Sequence, residues 1–363
     1  MVVRAEAARP RSLETSTPIV GAFRVPAVAV IGAMVALAAS ILLSATQGAA
    51  GLPVGAVLRT LLDALPGVSV GGTLSPVEAE LLWQIRMPRT VLAAIVGGAL
   101  AMAGSSYQGV FRNPLADPYL LGVSAGAGLG AVLALGFGLD IAIGPFNALP
   151  AAAFLGALVA VTGSALIARG SFAQPATLLL AGVAMAAFFS AGQTYLLQKL
   201  DHTRAREVLS WLFGRLAADG WGPVLLVLPY VAISALVLLL HARHLDVLRV
   251  GDDEARSLGL NPARIRLIVI AASTLLTAAA VSVSGLIAFV GLVTPHIVRL
   301  LISHAYRAIL PLSALVGAAF LTLVDVGART LVSPAELPVG VITAFVGAPF
   351  FAFVLWSGRE GTP

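Results

Sequence analysis

The sequence predicts an all-α membrane protein that crosses the bilayer about ten times. Three observations carry that prediction. Hydrophobic residues make up 59% of the 363-residue chain and charged residues only 11%, with a mean hydropathy of +0.97; a soluble domain carries about 25% charged residues. Runs without Lys, Arg, Asp or Glu recur at lengths near the roughly 20 residues that one helical span needs. The charged residues gather between those runs. A net charge of +5, spread as scattered arginines with Lys199 as the one lysine, does not point to nucleic acid. The chain has no cysteine, which excludes a disulfide framework and a thiolate metal site. Of the five histidines only His241 and His244 are close, and beside Arg243 at a helix end they read as solvated loop residues, not metal ligands.

Residues 1–25 are polar and hold Arg4, Arg9, Arg11 and Arg24, so they read as a cytoplasmic tail by the positive-inside bias. Residues 25–57 are uncharged, longer than the 7–15-residue core of a cleaved signal, and 26–45 is expected as a retained first span. An external segment, 46–89, follows, with a short amphipathic piece around Val57–Leu65. Further spans are expected at 90–111, 118–139, 148–168, 176–198 and 222–241, with 199–220 external. The loop 242–266, with five arginines and four acids, carries the cytoplasmic signature. From 267 to 298 there is no charge, and a break at Ser284-Gly285 gives spans 263–283 and 285–302. Two crossings keep Arg264, Arg266, Arg299 and Arg307 on one side, where a single crossing would divide them. Spans 308–328 and 338–357 finish a ten-helix domain, 26–358, with residues 359–363 as a second cytoplasmic tail.

The stretch Arg112 to Gly126, RNPLADPYLLGVSAG, organises the chain. Its first six residues, 112–117, are too few to cross anything, so the flanking spans form a tight hairpin. Pro114 and Pro118 remove backbone donors and break the helices there. Gly122, Gly126 and Gly130 recur every four residues, a small-residue face that lets a neighbouring backbone approach closely. The RMPR stretch, 86–89, puts two arginines at an outer membrane edge, against the positive-inside bias. They read either as interfacial anchors or as a docking site for an acidic partner, since Arg pairs bidentately with carboxylates. Within the mapped spans, away from His241 at a helix end, the intramembrane charges and histidines are Asp325, Arg329, His296 and Arg299, and Asp325 and Arg329 can pair at i,i+4. No relay of carboxylates crosses the membrane, which counts against the alternative, an ion-coupled secondary transporter of a small molecule. No cluster inside a span suits an enzyme, so no catalytic residue and no metal ligand is assigned.

Six stretches carry a resemblance: RMPR (86–89), GGALAMAGSSYQGVFRNPLADPYLLGVSAGAG (97–128), LLLAGVA (178–184), VGDDEARSLGL (250–260), VSGLIAFVGLVTPHIVRL (283–300) and ELPVGVITAFVGAPFF (336–351). In this order they resemble the permease subunits of ABC importers for iron chelates, haem or cobalamin, the FecCD or BtuC-like family. The resemblance runs from about residue 86 to the end. Leu286 and Ala288 stand where that family's pattern has Pro and Gly, which bears on helix geometry near Val293–His296, and the 303–307 stretch is less typical.

The resemblance implies a homodimer of twenty helices with its pathway at the shared interface, in the cytoplasmic membrane of a prokaryote with both termini inside. It implies two copies of a separate ATPase subunit, which would hold the ATP and Mg, and a soluble or lipid-anchored binding protein that delivers an iron–siderophore, haem or cobalamin. No cofactor is expected in this chain itself. The sequence agrees: a P-loop needs Gly-Lys-Ser/Thr, and Lys199 follows Gln198. By resemblance Arg86, Arg89 and Arg329 receive the binding protein's carboxylates, with an internal Arg329–Asp325 pair as the competing role. The resemblance also implies that Asn113 and Leu115 narrow the inner gate. The coupling element is a short helix bracketed by Gly251 and Gly259, with Asp252, Asp253 and Glu254 in its first turn, where acids favour the helix dipole. Ala255 and Leu258 would form the small apolar face that meets the ATPase. A Gly/Ala-lined pathway suits a large, mostly apolar chelate that must not bind tightly on the way through.

Overall fold

A computed structural model describes residues 26–48, 51–64, 66–139, 142–143, 146–169, 175–216 and 220–357; the expected tails 1–25 and 359–363 lie outside the described residues. Seven helices are long and apolar enough to cross a membrane, and three shorter apolar helices join them. The membrane segments are α1 (Ala27–Thr46), α4 (Met87–Phe111), α5 (Val123–Gly136), α6 (Ala148–Ile167), α7 (Pro175–Leu197), α9 (Gly222–Leu240), α12 (Pro262–Ser284), α13 (Val290–Leu301), α14 (Tyr306–Thr330) and α15 (Val339–Ser357). The connecting helices are α2 (Val54–Asp63), α3 (Pro76–Glu80), α8 (His202–Leu212), α10 (Ala242–Val250) and α11 (Asp252–Ser257). A two-residue antiparallel pair, β1 (Ala142–Ile143) with β2 (Phe146–Asn147), closes the turn between α5 and α6.

Hydrogen bonds sort the helix ends onto two faces. On one, Arg112 reaches Leu248 and Asp252, Arg249 donates to the His304 carbonyl at 2.6 Å, and the Tyr306 amide donates to Asp246 at 2.6 Å. On the other, Arg86 meets Ala45 and Thr46, Arg89 meets Glu336, the Trp221 indole donates to the Trp83 carbonyl, and the Gly340 amide donates to the Phe213 carbonyl. This alternation fits ten crossings, with 112–117, 242–257 and 303–307 on one side.

Local sequence explains the ends. Ser75 and Glu78 form a reciprocal capping box at α3. Asn261 caps α12 by accepting from the Arg264 amide at 3.1 Å, with Pro262 in the first turn. The amphipathic piece expected near Val57–Leu65 is α2.

Three boundaries differ from the sequence expectation. The second span does not start at 90: α3, a widened π turn over Leu81–Arg86 and α4 run on as one rod from Pro76 to Phe111. The third does not start at 118, because residues 112–122 are non-helical and α5 begins at Val123 after Gly122, which sits at φ +84°. The eighth does not start at 285, because residues 285–289 are unwound and α13 covers only 12 residues. At 1.5 Å per residue it spans about 18 Å, well short of a hydrocarbon core of about 30 Å. Residues Val293–His296 nevertheless lie within the helical run 290–301.

Unwound backbone at membrane depth must be paired inside the protein. Here one hydroxyl pairs both stretches: Tyr119 Oη donates to the Ile287 carbonyl at 3.0 Å and accepts from the Ile287 amide at 3.1 Å. Tyr119→Phe leaves both Ile287 groups without that partner, and the expected cost is about 1–3 kcal/mol. Thermal unfolding in detergent should show a lowered midpoint with the fold retained; an unchanged midpoint would mean that water satisfies Ile287.

Close helix approach rests on the glycines. A β-carbon at Gly126 would stand 2.2 Å from the Gly156 carbonyl oxygen on α6, and one at Gly104 would stand 2.0 Å from the Gly291 carbonyl oxygen on α13. The core centres on α4, which packs against α14, α12 and α13.

Candidate functional site

On the face that carries 242–257, α4 ends with Arg112 in the left-handed region at φ +49°. The chain then turns tightly. The Asn113 amide donates to the Gln108 carbonyl, Asn113 Oδ1 accepts from the Leu115 amide at 2.9 Å, and the Ala116 amide returns to the Asn113 carbonyl at 3.0 Å. Asn113 and Leu115 are left uncovered at the tip, Leu115 with 48% of its surface exposed, while Ala116 is buried. The two expected gate residues are therefore held by one turn and open to whatever lies opposite.

The short helix expected between Gly251 and Gly259 is α11. Gly251 is extended and Gly259 takes φ +77°, so its amide closes on the Arg256 carbonyl at 2.9 Å. Asp252 accepts from Arg266 at 2.8 and 2.6 Å and pairs with Arg112. Asp253 pairs with Arg256 at 2.7 Å, and Glu254 is exposed. The hydrogen bonds from Arg266, aided by the charges of Arg266 and Arg112 and opposed by burial, hold the Asp252 carboxyl below the usual carboxylate range. A depressed carboxylate stays ionised, and its pairing persists, until the pH falls below that range. One expectation needs correction. Ala255 does not share an exposed face with Leu258: it is fully buried in the core, and Leu258, 67% exposed, projects alone.

The opposite face corrects the expectation for the arginines. Arg86 is only 5% exposed and donates to the Ala45 and Thr46 carbonyls at 2.8 and 2.9 Å, tying the end of α1 to the π turn. Arg329 turns inward to Asp325 at 3.0 Å, to Ser44 Oγ at 2.8 Å and to the Gln47 carbonyl at 3.2 Å. Arg89 shares the buried Asp325 at 3.0 Å and forks onto Glu336 with two bonds of 3.0 Å. The three are not an exposed cluster. The internal Arg329–Asp325 pair is present, and Arg89 alone reaches the rim, already paired. Glu336 went unassigned in the sequence reading, although it opens the ELPVG stretch; no local pattern links it to Arg89. His241 Nδ1 donates to the Val237 carbonyl at 2.8 Å, a bond within its own helix turn.

A bundle of ten apolar segments with two unwound stretches, a tight turn at one face and a helix presented beside it defines a multi-pass membrane protein. The FecCD transport family model matches residues 36–357, and the chain belongs to that family. It is 40% identical over 320 residues to the cobalamin import system permease protein BtuC of Halobacterium salinarum, covering 84% of this chain and 85% of that one. It is also 40% identical over 282 residues to the hemin transport system permease protein HmuU of Yersinia pestis, covering 77% of this chain and 84% of that one. Among solved structures, a metal-chelate type ABC transporter in an inward-facing conformation superposes with a TM-score of 0.78 at 31% identity, covering 90% of this chain and 98% of that one. The chain is a transport permease of the ABC type, and the ion-coupled alternative has no support from these similarities.

Proposed function

We propose that this chain is the permease half of an ATP-driven importer of a metal chelate, acting as a homodimer with two copies of a separate ATPase subunit. ATP and Mg would be held by that ATPase. The observation that carries the reading is α11, whose acidic first turn and projecting Leu258 stand on the same face as the 112–117 turn. In this reading that face, and both termini, lie in the cytoplasm of a prokaryote, and the opposite face receives a soluble or lipid-anchored binding protein. The cobalamin and hemin relatives stand at equal identity, which supports a bulky metal-bearing chelate as the cargo class and does not divide siderophore, haem and corrinoid. Co-expression with a tagged ATPase from the same genome tests the reading. Recovery of two permease and two ATPase chains is expected, and a permease that purifies alone and moves cargo down an ion gradient would overturn it.

Docking on the opposite face centres in this reading on Arg89. A partner carboxylate would replace Glu336, which Arg89 holds below the ordinary carboxylate range by its hydrogen bonds. Glu336→Gln removes that internal competitor, so affinity for the binding protein should rise several-fold and fall with added salt. A titration by surface plasmon resonance that shows no gain would exclude Arg89 as the docking residue.

A further inference from the structure

We propose that Arg112 is a positioning residue that transmits movement of α11 to the 112–117 turn through Asp252. The proposal rests on the reading of α11 as the ATPase contact. Asp252 is the first residue of α11, and its carboxylate joins two other elements, α12 through Arg266 and the end of α4 through Arg112. Arg266, from α12, grips it with two bonds of 2.8 and 2.6 Å and is only 2% exposed, so this side of the pair is an anchor. Arg112, the residue that ends α4, pairs with the same carboxylate and also donates through Nε to the Leu248 carbonyl of α10 at 2.6 Å. Asn113, one of the two expected gate residues, follows directly.

The rest of the turn is hydrogen-bonded within itself, to α4 and, through Asp117, to the next residues Tyr119 and Leu120. Asn113 bonds to Gln108 and Leu115, and Ala116 bonds to Asn113. Among the described residues, the hydrogen bonds and ion pairs that join 112–117 to 242–266 all run through Arg112. Its left-handed backbone is unfavourable for an L-residue, and a conformation of that kind persists where the surroundings hold it. The bonds to Leu248 and Asp252 supply that hold. Displacement of α11 therefore pulls on the guanidinium, and the guanidinium sets the φ of the residue on which the turn pivots. Arg112 is also 36% exposed at its side chain, so water can satisfy what a broken pair leaves behind. Its loss is expected to cut the link without unfolding the chain.

The absence of cysteine in this chain makes single-site labelling of the permease clean once its band is separated from the ATPase. The assembled permease–ATPase complex is labelled with a maleimide through Ser257→Cys on α11 or Leu115→Cys on the turn, with and without trapped ATP. In the otherwise unaltered chain, ATPase binding should protect the 257 site and ATP should change the labelling rate at 115. With Arg112→Gln, protection at 257 and basal ATP hydrolysis should remain, the response at 115 should vanish, and cargo moved per ATP should fall about tenfold. Arg112→Lys, which keeps the charge toward Asp252, should recover part of that ratio. A full response at 115 with Arg112→Gln would overturn the proposal, as would a loss of hydrolysis and assembly together, which marks a merely structural role. A lack of protection at 257 in the unaltered complex would instead overturn the reading of α11.

Discussion

Arg86→Glu should leave no folded permease in the membrane. The guanidinium is almost wholly enclosed and donates to two carbonyls at the end of α1. A carboxylate there would face those carbonyl oxygens as an acceptor among acceptors, in a site with little water. Removing one partner from a buried charged arrangement costs about 3–5 kcal/mol, and a charge of the wrong sign adds repulsion. Against a total stability of about 5–15 kcal/mol that removes most of the margin at the lower end, and the repulsion from a buried carboxylate removes the rest. Size-exclusion chromatography in detergent is the measurement, with aggregate or no protein expected. A monodisperse Arg86→Glu protein would show that Arg86 faces water, as an exposed docking arginine would.

Leu258→Asp should do the opposite, sparing the fold and abolishing assembly with the ATPase. Leu258 follows α11 with most of its surface open, so its replacement should change stability by no more than about 0.5 kcal/mol. An apolar side chain at the centre of an interface carries about 2–4 kcal/mol of binding, roughly 30-fold or more in affinity. Co-purification of the ATPase should fail while the unfolding midpoint of the permease holds. Normal assembly would move the contact away from Leu258, and a lowered midpoint would mean that Leu258 packs within the chain.

The number of membrane segments was legible because run length and charge placement obey a bilayer constraint that does not depend on partners. The break at Ser284-Gly285 was legible for the same reason, and so was the close approach at Gly126 and Gly130, whose spacing puts them on one face of α5; Gly122, expected on that face, instead lies before the helix at φ +84°. The helix starts after both unwound stretches were not legible. What ties residues 112–122 to 285–289 is the Tyr119 hydroxyl, acting between positions 168 residues apart, and no window of sequence contains both. The short helix α11 was read correctly in place and in its acidic first turn, but not in its faces. Whether Ala255 or Leu258 points outward depends on where α10 and α12 lie. The outer arginines failed in the same way. Residues 86–89 look like a basic patch until Asp325 and Glu336, more than 230 residues away, are brought beside them.

The central claim is that this permease moves a metal chelate only with ATP and a separate ATPase. Proteoliposomes holding the co-purified complex, with haem- or cobalamin-loaded binding protein inside and ATP outside, test it most directly. ATPase domains then face the bath. The account predicts that chelate leaves the lumen when Mg-ATP is added, and that omission of the ATPase or of Mg-ATP stops it. Transport of either chelate by the permease alone, driven by a proton or sodium gradient, would contradict the account.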